Sequence, residues 1–232
     1  MIRLHMVVEG QTEETFVKSL IVPHLSQINV FSDVRCVETS RDRKISKIYR
    51  GGLISYEKAK KDLILWMKED QHDNCFFTTM FDLYALPDDW PKYQEAKIGN
   101  DPYQKVSMLE QAFMDDLQHP RFIPYIQLHE WEALILADPE KLHLEFFNQE
   151  KGVKNIIEIC AKFISPELID DDPEGAPSKR IIKEIPEYYG RKSSAGPRLA
   201  KEIGMAKIID KCPHFKNWLQ KLESLDRSSS VK

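Results

Sequence analysis

The sequence predicts an α/β protein: a mainly parallel sheet of about four strands flanked by helices, followed by a helical C-terminal part. Three observations carry that expectation. Short apolar runs at 2–8, 29–39, 74–82 and the start of 121–138 alternate with stretches of helical period, the pattern of βαβ units. Two of these runs, IRLHMVV and NCFFTTMFD, are apolar almost throughout, as strands covered on both faces are. Beyond about residue 139 the strand-like runs cease and helical stretches succeed one another.

Taken in order, IRLHMVV (2–8) reads as the first strand. Gly10 gives the backbone room to turn, and Thr12 then caps a helix over TEETFVKSLIVPHL, where Phe16/Leu20 and Val17/Ile21 form an i, i+4 apolar stripe. Pro23 bends or ends that helix. NVFSDVRCVET (29–39) is β-branched and loosely alternating, hence a second strand. RDRKISKIYR (41–50) holds five basic residues and one acid, and reads either as a solvated loop or helix face or as a phosphate-holding segment built on Arg43 and Lys44. Gly51 and Gly52 punctuate the chain before a helix over 55–70, with Ala59, Leu63, Trp66 and Met67 inward.

NCFFTTMFD (74–82) is the third strand, YALPDDWPKYQ a loop rich in Pro and Asp, and 103–118 a helix. RFIPYIQLHEWEALILAD (121–138) reads as a fourth strand running into a helix. NIIEICAKFI, SKRIIKEI, GPRLAKEIG and FKNWLQKLES then form helices joined by loops such as SPELIDDDPEGAPS, whose acids Asp170–Asp172 are solvated, and SSSVK frays. The expected division is an α/β domain over 1–138 with a helical part over 139–232 packed on it or continuous with it.

A chain of 232 residues fits one large domain or a domain with an appendage. No apolar run approaches the roughly 18–20 residues of a membrane helix, and MIRLHMVVEG lacks a signal-peptide pattern, so the expected location is the cytoplasm. Cys36, Cys75, Cys160 and Cys212 show no zinc-type spacing and read as reduced, mostly buried thiols. A net charge of −4 does not suggest a surface coated in positive charge for nucleic acid, and leaves room for a local basic groove.

Ligands of an open parallel sheet bind at the carboxyl ends of its strands. Three expected strands end there in carboxylates: Glu9, then Asp82, then Glu130 and Glu132. Converging carboxylates repel one another and call for a cation. An oxygen-only set suits Mg²⁺ or Mn²⁺, which commonly bridge protein carboxylates and phosphate. Glu13 is a further candidate ligand, although the dipole of a helix first turn alone favours an acid there. In HEWE (129–132), His129 is either a hydrogen-bonded strand-end histidine or a phosphate contact. No GxxxxGK[ST], GxGxxG, GxSxG or HExxH pattern is present, so the nucleotide-binding, nucleophile-elbow and zincin classes have no support.

VVEGQTEETF, with a later strand ending in an Asp, resembles the Toprim domain of topoisomerases, primases and small nucleases. The EGxTE form is most similar to nucleases of the overcoming-lysogenization-defect type. Nearly the whole chain also resembles a bacterial domain family of uncharacterised function, through EGQTE (9–13), FDLYALP (81–87), FIPYIQLHEWEALI (122–135), APSKR (176–180) and CPHFKNWL (212–219). The resemblance implies a Toprim-like fold in which Glu9 is a metal ligand or general acid/base and Glu13 and Asp82 are metal ligands. Tyr84 stands where Toprim proteins carry a second aspartate, and Glu130 or Glu132 is the implied replacement. Lys179, or alternatively Arg180, matches a late lysine that steadies transition-state charge.

The activity that this resemblance implies is that of a Mg²⁺- or Mn²⁺-dependent nuclease cleaving DNA or RNA, with Glu9, Asp82 and Lys179 catalytic. Arg43, Lys44, His129, Lys179 and Arg180 would meet phosphates. An ABC-type or related ATPase partner, an antiphage role and possible self-association are implied as well. The alternative is a non-catalytic regulatory or scaffolding subunit that keeps the Toprim shell, with Tyr84 as its support.

Overall fold

The computed structural model describes residues 1–42, 47–50, 52–99, 101–169 and 175–228. In chain order, β1 (Ile2–Val8) leads into α1 (Gln11–Phe16), a π-helical turn (Val17–Ile21) and α2 (Val22–Ser26). β2 (Val30–Cys36) precedes β3 (Glu38–Asp42), β4 (Lys47–Arg50) and α3 (Tyr56–Glu69). β5 (Cys75–Asp82) runs into a 3₁₀ turn, Leu83–Ala85, then α4 (Tyr93–Ala96) and α5 (Pro102–Leu117). Two short strands, β6 (Phe122–Ile123) and β7 (Ile126–Gln127), precede α6 (Glu132–Ile135). The described chain is completed by α7 (Glu150–Cys160), α8 (Pro177–Glu184), α9 (Lys192–Ile203), α10 (Met205–Lys211), α11 (Pro213–Glu223) and α12 (Leu225–Ser228).

The main sheet is parallel at every pairing, in the order β2–β1–β5–β6, with β7 also beside β5. β1 registers with β2 from Ile2↔Val30 to Val8↔Cys36 and with β5 from Arg3↔Cys75 to Val8↔Met80. The chain leaving β1 turns outward to β2, whereas the chain leaving β5 turns the other way to β6. The topological switch point therefore lies between the carboxyl ends of β1 and β5, the place where such sheets bind ligands in a crevice.

Alternation along β1 divides the core. Ile2, Leu4, Met6 and Val8 share one buried cluster with Phe16, Trp131, Leu199, Phe215 and Trp218. Val7 faces a second cluster containing Leu63, Trp66, Phe77, Phe113 and Trp90. Helices cover both faces, and the C-terminal helices share their core with β1.

Several local features depart from the sequence expectation. Gly10, not Thr12, is the N-cap of α1. Helix continues past Pro23 because a π-helical turn precedes it, with the Val22 N–H bonded to the Val17 carbonyl, so the proline's missing donor falls in the first turn of α2. The basic stretch, expected as a loop or helix face, forms instead an antiparallel β3–β4 ladder, Asp42↔Lys47 to Glu38↔Arg50. Pro124, which cannot donate to a ladder, splits the expected fourth strand into β6 and β7. Arg43, Lys44 and the acidic run 170–172 lie outside the described residues. Among the described residues, no helix is long and apolar enough to cross a membrane.

Candidate functional site

Glu9 leaves the end of β1 at the crevice, and Asp82 ends β5 beside it. The Asp82 N–H donates to Glu9 Oε2 at 3.4 Å, and the Gly52 N–H donates to the Glu9 carbonyl at 3.1 Å. That second bond fastens the exit of the β3–β4 hairpin to the same strand end. Asp82 Oδ1 is sealed from solvent and has no hydrogen-bond partner. For a carboxylate oxygen this is costly unless another group, such as a cation, satisfies it.

Glu13 is buried, a cost that the nearby backbone N–H groups of Glu13 itself and of Gly10 offset in part. The expected role of Gly10 is to ease a turn, but its backbone is extended (φ −150, ψ −174). Room for Glu13 explains it better, since a Cβ at Gly10 would lie 3.1 Å from Glu13 Oε2.

The HEWE segment leaves β7 through His129, which takes a left-handed φ of 60. Its carbonyl accepts the Tyr84 N–H at 3.1 Å, and the Tyr84 and His129 rings lie 5.3 Å apart between centroids. Glu130 Oε2 accepts the Ser178 N–H at 2.9 Å, so the first turn of α8, within APSKR, is tied to HEWE. Glu132 is buried, 3.2 Å from Lys192 Nζ and 3.5 Å from the Tyr188 hydroxyl. Between these acids Trp131 packs on Phe16 and against Gly196 of α9. That packing carries the N-terminus of α9, and with it Lys192, to the acidic edge.

These carboxylates feel one another. Burial first, then the charge of Glu13, pushes Glu9 up to about 7 despite the Asp82 N–H bond, with Glu130 and Glu132 adding to the rise. Burial, then the charges of Glu9, Glu13, Glu132 and Glu130, holds Asp82 well above the usual carboxylate range. Burial also raises Glu13. It pushes Glu132 up to about 7, although Lys192 pulls the other way.

Glu9, Glu13, Asp82, Glu130 and Glu132 thus share one edge, yet no three of them bring oxygens within 4.8 Å of one another. A wide, oxygen-only set suits a cation that keeps several of its waters, as Mg²⁺ does. The buried unpartnered oxygen of Asp82 fits the same group. Glu132 is already paired with the Lys192 ammonium, whereas Glu9 and Glu130 each accept a single backbone N–H and Asp82 Oδ1 has no partner, so Glu9, Asp82 and Glu130 are the better ligands.

Of the expected cations, Lys179 and Arg180 lie on α8, which the Ser178 N–H ties to Glu130. Lys179 is exposed in the first turn of α8, and Arg180 Nε donates to the Gly175 carbonyl at 2.5 Å. Lys192, absent from the residues expected at the site, is a cation paired to the carboxylate edge. No spacing signal marks it, because it arrives by packing of α9 on α1 and α6.

A family model for a domain of unknown function (DUF4276) matches residues 8–223. No curated protein and no solved structure matches the chain.

Proposed function

We propose that this chain, which belongs to the DUF4276 domain family, is a divalent-metal-dependent nuclease that hydrolyses phosphodiester bonds of DNA or RNA. The observation that carries the reading is the pairing of Glu9 with Asp82 at the crevice, with Asp82 Oδ1 buried and unpartnered among further acids. Glu9, Asp82 and Glu130 would hold Mg²⁺ or Mn²⁺. When bound, such an ion polarises a phosphoryl oxygen and lowers the pKa of a water.

The remaining work falls to the chain itself. Glu9, at the strand end beside Asp82, is placed to take a proton from an attacking water and pass it on. Glu132, which accepts from the Tyr188 hydroxyl, orients the Lys192 ammonium, whose charge can meet a phosphate oxygen as negative charge grows. The β3–β4 hairpin, hung from Glu9 and basic in sequence, supplies a grip along the phosphate backbone. The resemblance to Toprim nucleases extends the proposal to an ATPase partner and an antiphage role.

Incubating the purified protein with plasmid DNA and with total RNA, in Mn²⁺ or Mg²⁺, tests the reading. Cleavage is expected for the wild type and lost in both Glu9→Ala and Asp82→Ala, with Lys192→Ala impaired more than Lys179→Ala. Equal cleavage by the Glu9 and Asp82 variants would overturn it. A second reading, a non-catalytic scaffolding subunit, is favoured by Tyr84 at the position of an expected acid, partly exposed and set against His129. Metal-independent complex formation without any cleavage supports that reading.

A further inference from the structure

At the amino ends of the strands, on the opposite edge of the sheet from Glu9 and Asp82, three side chains of different chemistry converge. His5 lies on β1, Asp70 ends α3, and Cys75 opens β5. An imidazole nitrogen, a carboxylate oxygen and Sγ lie within 4.8 Å of one another, and no other trio of His, Cys, Asp or Glu does so among the described residues. All three residues are enclosed, at 6%, 9% and 0% exposure. His5 Nε2 is 3.0 Å from Asp70 Oδ2, and Arg3 Nη2 holds Asp70 Oδ1 at 2.8 Å. His5 Nδ1 is buried with no hydrogen-bond partner.

We propose that His5, Asp70 and Cys75 form a binding site for one Zn²⁺, independent of the carboxylate edge. Nitrogen, oxygen and sulfur together suit zinc and are foreign to Mg²⁺. Zn–N and Zn–O bonds of about 2.0 Å and a Zn–S bond of about 2.3 Å give tetrahedron edges of roughly 3.3–3.5 Å. The His5–Asp70 pair, at 3.0 Å, needs to open by only a few tenths of an ångström.

Charge balances too: one thiolate and one carboxylate neutralise the ion, and the thiol proton leaves to solvent as the metal–sulfur bond forms. Arg3 keeps Asp70 Oδ1 and so turns Oδ2 toward the ion, the outer partner that ligating carboxylates usually have. Burial and then the Asp70 carboxylate push the Cys75 thiol up to about 12, with Arg3 and Arg121 pulling the other way, so it is the ion itself that must displace the thiol proton. Arg3 is the half-exposed member of the group, and its side is the route of entry. Three protein ligands leave the fourth position to water. The ion would join the first strand, the end of α3 and the start of β5, stiffening the sheet at the edge remote from the carboxylates.

Cobalt(II) tests this directly on the full chain, stripped with chelator and reduced. One Co²⁺ per chain is expected to give the intense visible bands of a tetrahedral site and a thiolate-to-cobalt band in the near ultraviolet, both bleached by Zn²⁺. Both are expected to vanish in Cys75→Ser and to persist in Asp82→Asn. Alkylation of wild-type Cys75, read by peptide mass, guards against a variant that fails to fold: Zn²⁺ is expected to slow it at least tenfold. A folded wild type without a thiolate band at saturating Co²⁺, a band that persists in Cys75→Ser, or Cys75 alkylation indifferent to Zn²⁺ overturns the site. Each readout is independent of nuclease activity.

Discussion

Asp82 keeps a carboxylate oxygen away from water with no donor to meet it, in the company of four other acids whose charges raise its pKa. Such a residue destabilises the metal-free fold. Glu9 and Glu132, each pushed up to about 7, belong to the same strained group. Their folded pKa values exceed the unfolded ones, so the folded state holds extra protons between about pH 4.5 and 7. Stability of the metal-free protein is therefore expected to fall as pH rises through that window, by an amount on the order of a few kcal/mol. Asp82→Asn relieves the repulsion. Thermal melts in chelator at pH 8 are expected to show its Tm several degrees above wild type, since about 1 kcal/mol moves a chain of this size by roughly 2–4 °C. The gain is expected to shrink at pH 5. A lower Tm for Asp82→Asn at pH 8 would count against mutual repulsion as the cause.

At the scale of elements, the contact that matters most for the acidic edge is α6 against α9. Gly196 admits the Trp131 ring so closely that a Cβ would lie 2.5 Å from Trp131 Cη2. Gly196→Ala is expected to lower stability by about 1–3 kcal/mol through overpacking, and to weaken the Lys192–Glu132 pair because α9 is pushed away. Chemical denaturation measures the first effect, and cleavage rate under folded conditions the second. An unchanged midpoint would show that the helices shift freely at this joint.

The same scale explains what can be read from the chain. β1, α3, β5 and α5 keep to their periodicity within a residue or two, with Ser55 and Asp101 as side-chain caps of the two helices. Glu9, Asp82, Glu130 and Glu132 are legible as acids after apolar runs. Lys192 is not, because α9 comes to Glu132 from 60 residues away in the chain and nothing in RKSS marks the encounter. The β3–β4 ladder is hidden by its charges, which argue for solvent exposure and carry no strand period. His5, Asp70 and Cys75 escape for a related reason. Their spacing matches no metal motif, and only the pairing of β1 with β5 brings them together.

For the molecule as a whole, the difficulty is to bring a polyanion to an acidic edge on a protein of net charge −4. Phosphates approaching Glu9, Asp82 and Glu130 meet like charge in a partly desolvated crevice, where each pair at about 4 Å costs several times more than in bulk water. Lys192 is already paired with Glu132, so it offsets little of that repulsion. A divalent ion at the edge would reverse the sign of the local field. Metal is therefore expected to control binding of nucleic acid as well as its cleavage. In chelator the wild type is expected to bind a short oligonucleotide weakly, with Ca²⁺ or Mn²⁺ tightening binding tenfold or more. The double variant Glu9→Gln/Asp82→Asn, with two ionisable carboxyls fewer, is expected at pH 8 to bind better than wild type in chelator and to gain little from metal. Fluorescence anisotropy at fixed ionic strength reads all four states, and salt is held constant because phosphate contacts are themselves salt-sensitive. Equal metal enhancement in the wild type and the double variant would move the ion, and the phosphate with it, away from Glu9 and Asp82.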